Sequence, residues 1–206
     1  MNRTIHLPVT VIAICCLAFI LLAVYAILGK PAGLDISILA YLAQHRTGTA
    51  DAVFQYLTWA GSFYVLAPLC LLISYLLARG GQLLQAWFFL SSFMLAALAA
   101  RVLKNLLGSE RPDLYPALVD TFTAYAFPSS HAAQITAFAL ALYLLLAGAR
   151  PAWRVTAGLV LPVLAIAVLF SRLYLQVHYP SDVIAGGLLG VICVMAGYAI
   201  FRKQCK

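Results

Sequence analysis

Three short stretches carry nearly all the reactive side chains of an otherwise oily chain: "KNLLGSERP" (104–112), "FPSSH" (127–131) and "SRLYLQVHYPSD" (171–182). Lys104, Arg111 and Arg172 supply three permanent positive charges. Arginine presents a planar fork that fits phosphate oxygens, and lysine a compact point charge. Ser129, Ser130 and His131 stand just before an apolar run, where a helix should begin and where the two serines could cap it. Unpaired N–H groups and the positive end of the helix dipole favour an anion at such a place. Together these residues describe a phosphate site with no metal and no cofactor.

Two histidines would make that site reactive. A neutral imidazole attacks phosphorus when an acceptor holds its other nitrogen, and a second imidazole can donate a proton to the leaving oxygen. His178 and Asp182 are four residues apart, with Pro180 between them. Proline favours the first position of a helix, so Asp182 falls in a first turn and can reach back to His178. The spacing favours His178 as the base held by Asp182, with His131 as the acid, although residue types alone do not separate the two roles. The cations would hold the charge of the transferring phosphoryl group, the main contribution in such chemistry. Taken singly, Lys104 or Arg172 reads equally well as an anchor snorkelling from a span end, and either histidine as a packed residue. Their joint occurrence favours a site.

Positioning these residues falls to membrane helices. Of 206 residues, 65% are hydrophobic and 9% charged, against about 25% charged in soluble domains. The chain reads as one all-α integral membrane domain over residues 1–206. A span needs about 20 mostly apolar residues, and six transmembrane helices are predicted, at Leu7–Leu28, Tyr56–Leu77, Leu84–Leu107, Ala132–Ala149, Trp153–Phe170 and Val183–Phe201. The first apolar run is too long for an ordinary signal peptide. Between the first two spans, "GLDISILAYLAQHR" repeats Leu34, Ile38, Leu39 and Leu42 at helical spacing and reads as a short interfacial amphipathic helix. Glycines 186, 187 and 190 suit close helix packing, and Trp59, Tyr64, Trp87 and Trp153 suit interfacial anchors.

Six spans place both termini and two loops on one side, with Arg3, Arg79, Arg150, Arg154, Arg202, Lys203 and Lys206 and no acid. Short, purely basic loops mark the cytoplasmic side, so the termini are expected inside and the three reactive stretches outside. The net charge of +7 comes from bases set singly between apolar runs, not from the clustered stripe that nucleic acid requires. Cys15, Cys16, Cys70, Cys193 and Cys205 show no metal or disulfide spacing.

The order Lys104-x6-Arg111-Pro112, Pro128-Ser129-Ser130-His131, Ser171-Arg172-x5-His178-x3-Asp182 resembles the three-part signature of the type 2 phosphatidic acid phosphatase superfamily. The motifs cover roughly 80 residues, and the span layout extends the likeness to most of the chain. The resemblance implies metal-independent removal of phosphate from a lipid phosphate or diphosphate through a phosphohistidine, as in bacterial phosphatidylglycerophosphatase or undecaprenyl-diphosphatase types. It makes His178 the nucleophile, Asp182 its orienting partner and His131 the general acid. It makes Lys104, Arg111, Ser129 and Arg172 phosphate ligands, with Ser130 a further candidate. Many members have glycine where Ser130 stands, which bears on the phosphate contacts there and not on the reaction class.

The implied partners are membrane lipids and a lipid phosphate such as undecaprenyl diphosphate, phosphatidylglycerol phosphate or phosphatidic acid, with no nucleic acid and no obligatory protein partner. Two alternatives stand beside this reading. A phosphotransferase would pass the same phosphoryl group to another lipid. A non-catalytic transporter of anionic lipids would use the cations without needing His178 and Asp182. Related vanadate haloperoxidases share the anion pocket but are soluble. Tyr115, Tyr125, Tyr174 and Tyr179 flank the motifs as candidates for the head-group entrance.

Overall fold

The computed structural model describes residues 3–28, 33–121, 123–147 and 150–201, with side chains from residue 9 onward. Lys30, Arg202, Lys203, Lys206, Cys205, Ala149 and the side chain of Arg3, which entered the reading above, lie outside that description. Among the described residues eight α-helices follow one another: α1 (Arg3–Ile27), α2 (Gly33–Gln44), α3 (Gly48–Leu57), α4 (Phe63–Arg79), α5 (Leu83–Leu107), α6 (Ser130–Leu146), α7 (Pro151–Tyr174) and α8 (Pro180–Phe201). Among the described residues there is no strand.

Four helices are long and apolar enough to cross a membrane: α1 from Val9 onward, α5, α7 and α8. Their outward residues are large and apolar. Leu159, Val160, Val163 and Ile166 on α7 are all exposed, a face that is stable only against lipid. The chain is a multi-pass membrane protein.

The second predicted span begins later than its apolar run. Residues Gly48–Gly61 and Phe63–Arg79 form a pair bent by 42°. The break comes where Ser62 turns extended and its hydroxyl accepts the Val65 N–H at 3.3 Å, which starts α4 afresh. The fourth predicted span is α6, an apolar helix of 17 residues. α2 forms where the amphipathic helix was placed, but it does not divide into wet and oily faces. Asp35 is buried beside Leu39 and Leu42, while Leu34 and Tyr41 are exposed.

The core lies where α5, α6 and α8 meet, with α4 and α7 against its flanks and α1 lying along α8. Phe88, Phe89 and Phe93 of α5 form part of it, and Phe89 and Phe93 meet Phe138 of α6 edge to face. Lipid gives helices little hydrophobic reason to associate, so close packing between small residues must do it. A side-chain carbon on Gly186 would collide with the Ser129 carbonyl oxygen, and one on Gly190 would lie 2.7 Å from the Ala133 carbonyl oxygen. Gly187 has only ordinary contacts, at 3.8 Å. Two of the three glycines therefore set the α6–α8 approach. Replacing Gly186 or Gly190 with alanine should cost about 1–3 kcal/mol, as overpacking does, and lower the unfolding temperature in detergent. Gly187→Ala should not; equal losses at all three positions would contradict this packing.

Candidate active site

α5 stops abruptly at Gly108, whose left-handed conformation (φ 62°) turns the chain out of the helix. The loop after it folds back over the helix end. Ala126 N–H donates to the Ser109 carbonyl at 2.7 Å, and Glu110 pairs with Tyr125 in an antiparallel bridge. That return lays the Tyr125 and Ala126 carbonyls on the Lys104 ammonium, at 3.0 and 2.6 Å. Arg111 is tied down by the same loop. Its Nε donates to the Thr123 carbonyl at 2.9 Å and its Nη2 to the Thr123 hydroxyl at 3.2 Å. Its Nη1 reaches the Val177 carbonyl at 2.7 Å. Glu110 and Asp113, its neighbours in sequence, are not its hydrogen-bond partners.

The turn between α7 and α8 carries the other half. Gln176 adopts a left-handed conformation (φ 60°), unusual for a side-chain-bearing residue. Its Nε2 donates to the Leu39 carbonyl of α2 at 3.0 Å, which anchors the turn. Arg172, on the last turn of α7, is buried and donates from Nη1 to the Thr58 hydroxyl at 2.5 Å. Pro180 opens α8, and Asp182 in its first turn accepts the Tyr179 N–H at 2.9 Å. The same Oδ2 lies 3.4 Å from His178 Nδ1, so Nε2 is the ring nitrogen left for chemistry. His178 and Asp182 are both buried.

α6 starts at the same place. Ser129 is its N-cap by position, but the hydroxyl makes no capping bond and is buried without a partner among the described residues. Its N–H donates instead to the Asp182 carbonyl at 3.0 Å, which joins the starts of α6 and α8. Arg172 Nε is likewise buried and unpaired among the described residues. A buried donor without an acceptor costs about 1–3 kcal/mol, so Ser129 Oγ and Arg172 Nε both suit an anion ligand.

Lys104, Arg111, Ser130, His131, Arg172 and His178 line one cavity of about 850 Å³. Ser129 and Asp182 stand behind this wall: Ser129 is fully buried, and Asp182 lines a second cavity of about 330 Å³. The structure thus brings all eight predicted site residues to one place. It also adds residues that sequence reasoning missed. Thr58 and Thr123 hold the guanidinium groups, and Gln134 lines the cavity one turn after His131. Gln134 was legible as a polar residue on the His131 face of an apolar helix; the threonines gave no such signal. The four tyrosines proposed for the entrance do not line this cavity. Tyr174 is buried with its hydroxyl on Asp51 at 2.7 Å, and Tyr179 lines the second cavity. Trp59 and Tyr64 sit at the cavity instead.

Burial, then the positive charges of Lys104, Arg111 and Arg172, push the His178 pKa well below the ordinary value near 6.5. Burial also lowers the pKa of Arg111. Among the described residues no cluster of His, Cys, Asp and Glu could hold a metal ion. A family model described as the PAP2 superfamily matches residues 85–206, a segment that contains all three reactive stretches.

The chain belongs to the PAP2 superfamily.

Similarity extends to named phosphatases. The chain is 28% identical to an undecaprenyl-diphosphatase of Sulfolobus acidocaldarius, over 84% of this chain and 83% of that protein. It is 41% identical to a decaprenylphosphoryl-5-phosphoribose phosphatase of Mycobacterium tuberculosis, over 48% of this chain and 51% of that protein. The crystal structure of a transmembrane PAP2-type phosphatidylglycerolphosphate phosphatase from Bacillus subtilis superimposes with a TM-score of 0.78 at 25% identity, over 97% of each chain. This PAP2 protein is a phosphoric ester hydrolase of the membrane. The depressed basicity of His178 has a direct readout: its ring should remain mostly neutral at pH 6.5, where a free imidazole is half protonated. Nitrogen-15 spectra of histidine-labelled protein in detergent, assigned with a His178→Ala variant, would report it. Half-protonation at 6.5 or above would contradict the electrostatics described.

Proposed function

We propose that the chain hydrolyses a lipid phosphate or diphosphate without a metal, through a phosphohistidine on His178. The observation that carries this reading is the 3.4 Å contact of His178 Nδ1 with Asp182, beside three cations in one cavity. Asp182 holds the ring as the tautomer with its proton on Nδ1, so the lone pair sits on Nε2. In the first step Nε2 bonds to phosphorus and the bond from phosphorus to the lipid oxygen breaks. His131 gives that oxygen its proton. In the second step a water oxygen bonds to phosphorus, its proton passes to His131, and the N–P bond breaks to release orthophosphate. Lys104, Arg111, Arg172, Ser129 and Ser130 stabilise the charge on the phosphoryl oxygens throughout.

Within this reading the chain crosses the membrane six times as a single domain, with α6 and the bent α3–α4 pair counted as spans. α2 lies at the outer interface, both termini are cytoplasmic, and the cavity opens to the periplasmic face of the inner membrane. The names of the relatives support a polyprenyl diphosphate or phosphatidylglycerol phosphate as substrate, with phosphatidic acid the simplest further candidate.

Purified protein in detergent with chelator should release phosphate from these lipids. His178→Ala should lower the rate by about three orders of magnitude or more, as loss of a nucleophile does. Asp182→Asn should lower it about a hundredfold or more by releasing the wrong tautomer. Unaltered release by His178→Ala, or complete loss under chelation, would refute the mechanism. Transfer to an added lipid with little free phosphate would identify a phosphotransferase.

A further inference from the structure

α5 presents one stripe to the cavity, which includes Met94, Ala97, Leu98, Arg101 and Lys104 along one helical face. Polarity changes along it in a definite order. Lys104, nearest the helix end, is buried and committed to two carbonyls. Arg101, one turn further into the span, is exposed and has no hydrogen bond or ion pair among the described residues. Beyond it Leu98 and Met94 are apolar and exposed. Lys104, Arg111 and Arg172 all have partners that orient them; Arg101 is the cavity cation left uncommitted. A charge within a span is costly and marks a site more often than not.

We propose that Arg101 is a second phosphate subsite, and that the substrate is a lipid diphosphate. This rests on the phosphatase reading above and narrows it. The terminal phosphate occupies the Lys104, Arg111 and Arg172 group, the phosphate that stays on the lipid lies against Arg101, and the tail follows Leu98 and Met94. Three residues of helix advance about 4.5 Å, which suits two phosphates joined through one bridging oxygen better than two separated by a glycerol. Cleavage breaks the bond from that oxygen to the terminal phosphorus, and the oxygen leaves with the lipid monophosphate. A lipid monophosphate would instead lay carbon against Arg101 and leave its charge unanswered.

The test compares farnesyl diphosphate, farnesyl phosphate and phosphatidylglycerol phosphate as substrates of the full-length protein and of Arg101→Ala. The ratio of kcat/KM for the diphosphate to that for the monophosphate should fall about tenfold or more, the worth of a charge-assisted hydrogen bond, and Arg101→Lys should recover part of it. Binding of a methylene-bridged diphosphonate analogue to His178→Ala protein should weaken by a similar factor when Arg101→Ala is added. The subsite is overturned if the ratio is unchanged, if both substrates fall in step, or if phosphatidylglycerol phosphate suffers more than the diphosphate. Failure of the wild type to release phosphate from any of the three would defeat the phosphatase reading itself, a result distinct from all of these.

Discussion

Lys104, Arg111 and Arg172 hold three like charges close together in one cavity inside a membrane protein, and most of the local structure answers that constraint. Carboxylate partners would neutralise the cations and compete with an anionic substrate. The protein uses neutral acceptors instead. Lys104 is held by the Tyr125 and Ala126 carbonyls, Arg111 by Thr123 and the Val177 carbonyl, and Arg172 by the Thr58 hydroxyl. Such contacts fix direction without cancelling charge. Asp120 lines the cavity without an ion pair among the described residues, and the Asp182 side chain faces His178 and the Tyr179 N–H instead of a cation.

Most of those acceptors are backbone carbonyls, and two irregular segments are built around them. Gly108 ends α5 immediately after the lysine turn and sends the loop back across it. Gln176 makes the left-handed turn from which Val177 offers its carbonyl and His178 reaches the cavity. The starts of α6 and α8 then have to meet, and Gly186 permits it by letting the Ser129 carbonyl approach the α8 backbone. Asp35 secures the arrangement from α2. Its carboxylate accepts the Ser181 N–H at 3.1 Å, the Ser181 hydroxyl at 2.8 Å and the Tyr25 hydroxyl at 3.1 Å. The residue beside Asp182 is thereby tied to α1 and α2.

The reactive residues were legible because chemistry restricts which types can serve and because an apolar chain makes each one conspicuous. The long apolar helices α1, α5, α7 and α8 were legible from hydropathy, and Pro180 marked the start of α8. What stayed hidden depends on distant pairing. Nothing near Asp35 announces that it will meet Ser181, 146 positions away, so it read as part of a wetted face. The bend before α4 was lost inside a largely apolar run that only the small residues Thr58, Gly61 and Ser62 interrupt. The serines at the start of α6 suit both a helix cap and a phosphate contact. In the fold the cap position is kept, while the Ser129 hydroxyl stays unpaired among the described residues.

The central claim is that phosphate passes through His178, and trapping the adduct tests it most directly. The lipid monophosphate released from a diphosphate leaves well enough for the enzyme to be phosphorylated without full help from His131, whereas water attack still needs a base. His131→Ala protein mixed with a lipid diphosphate and kept at neutral to alkaline pH should therefore accumulate one acid-labile phosphoryl group. Mass spectrometry should place it on His178. Phosphate on another residue, or steady turnover with none trapped and inversion of configuration at a chiral thiophosphoryl substrate, would contradict the account.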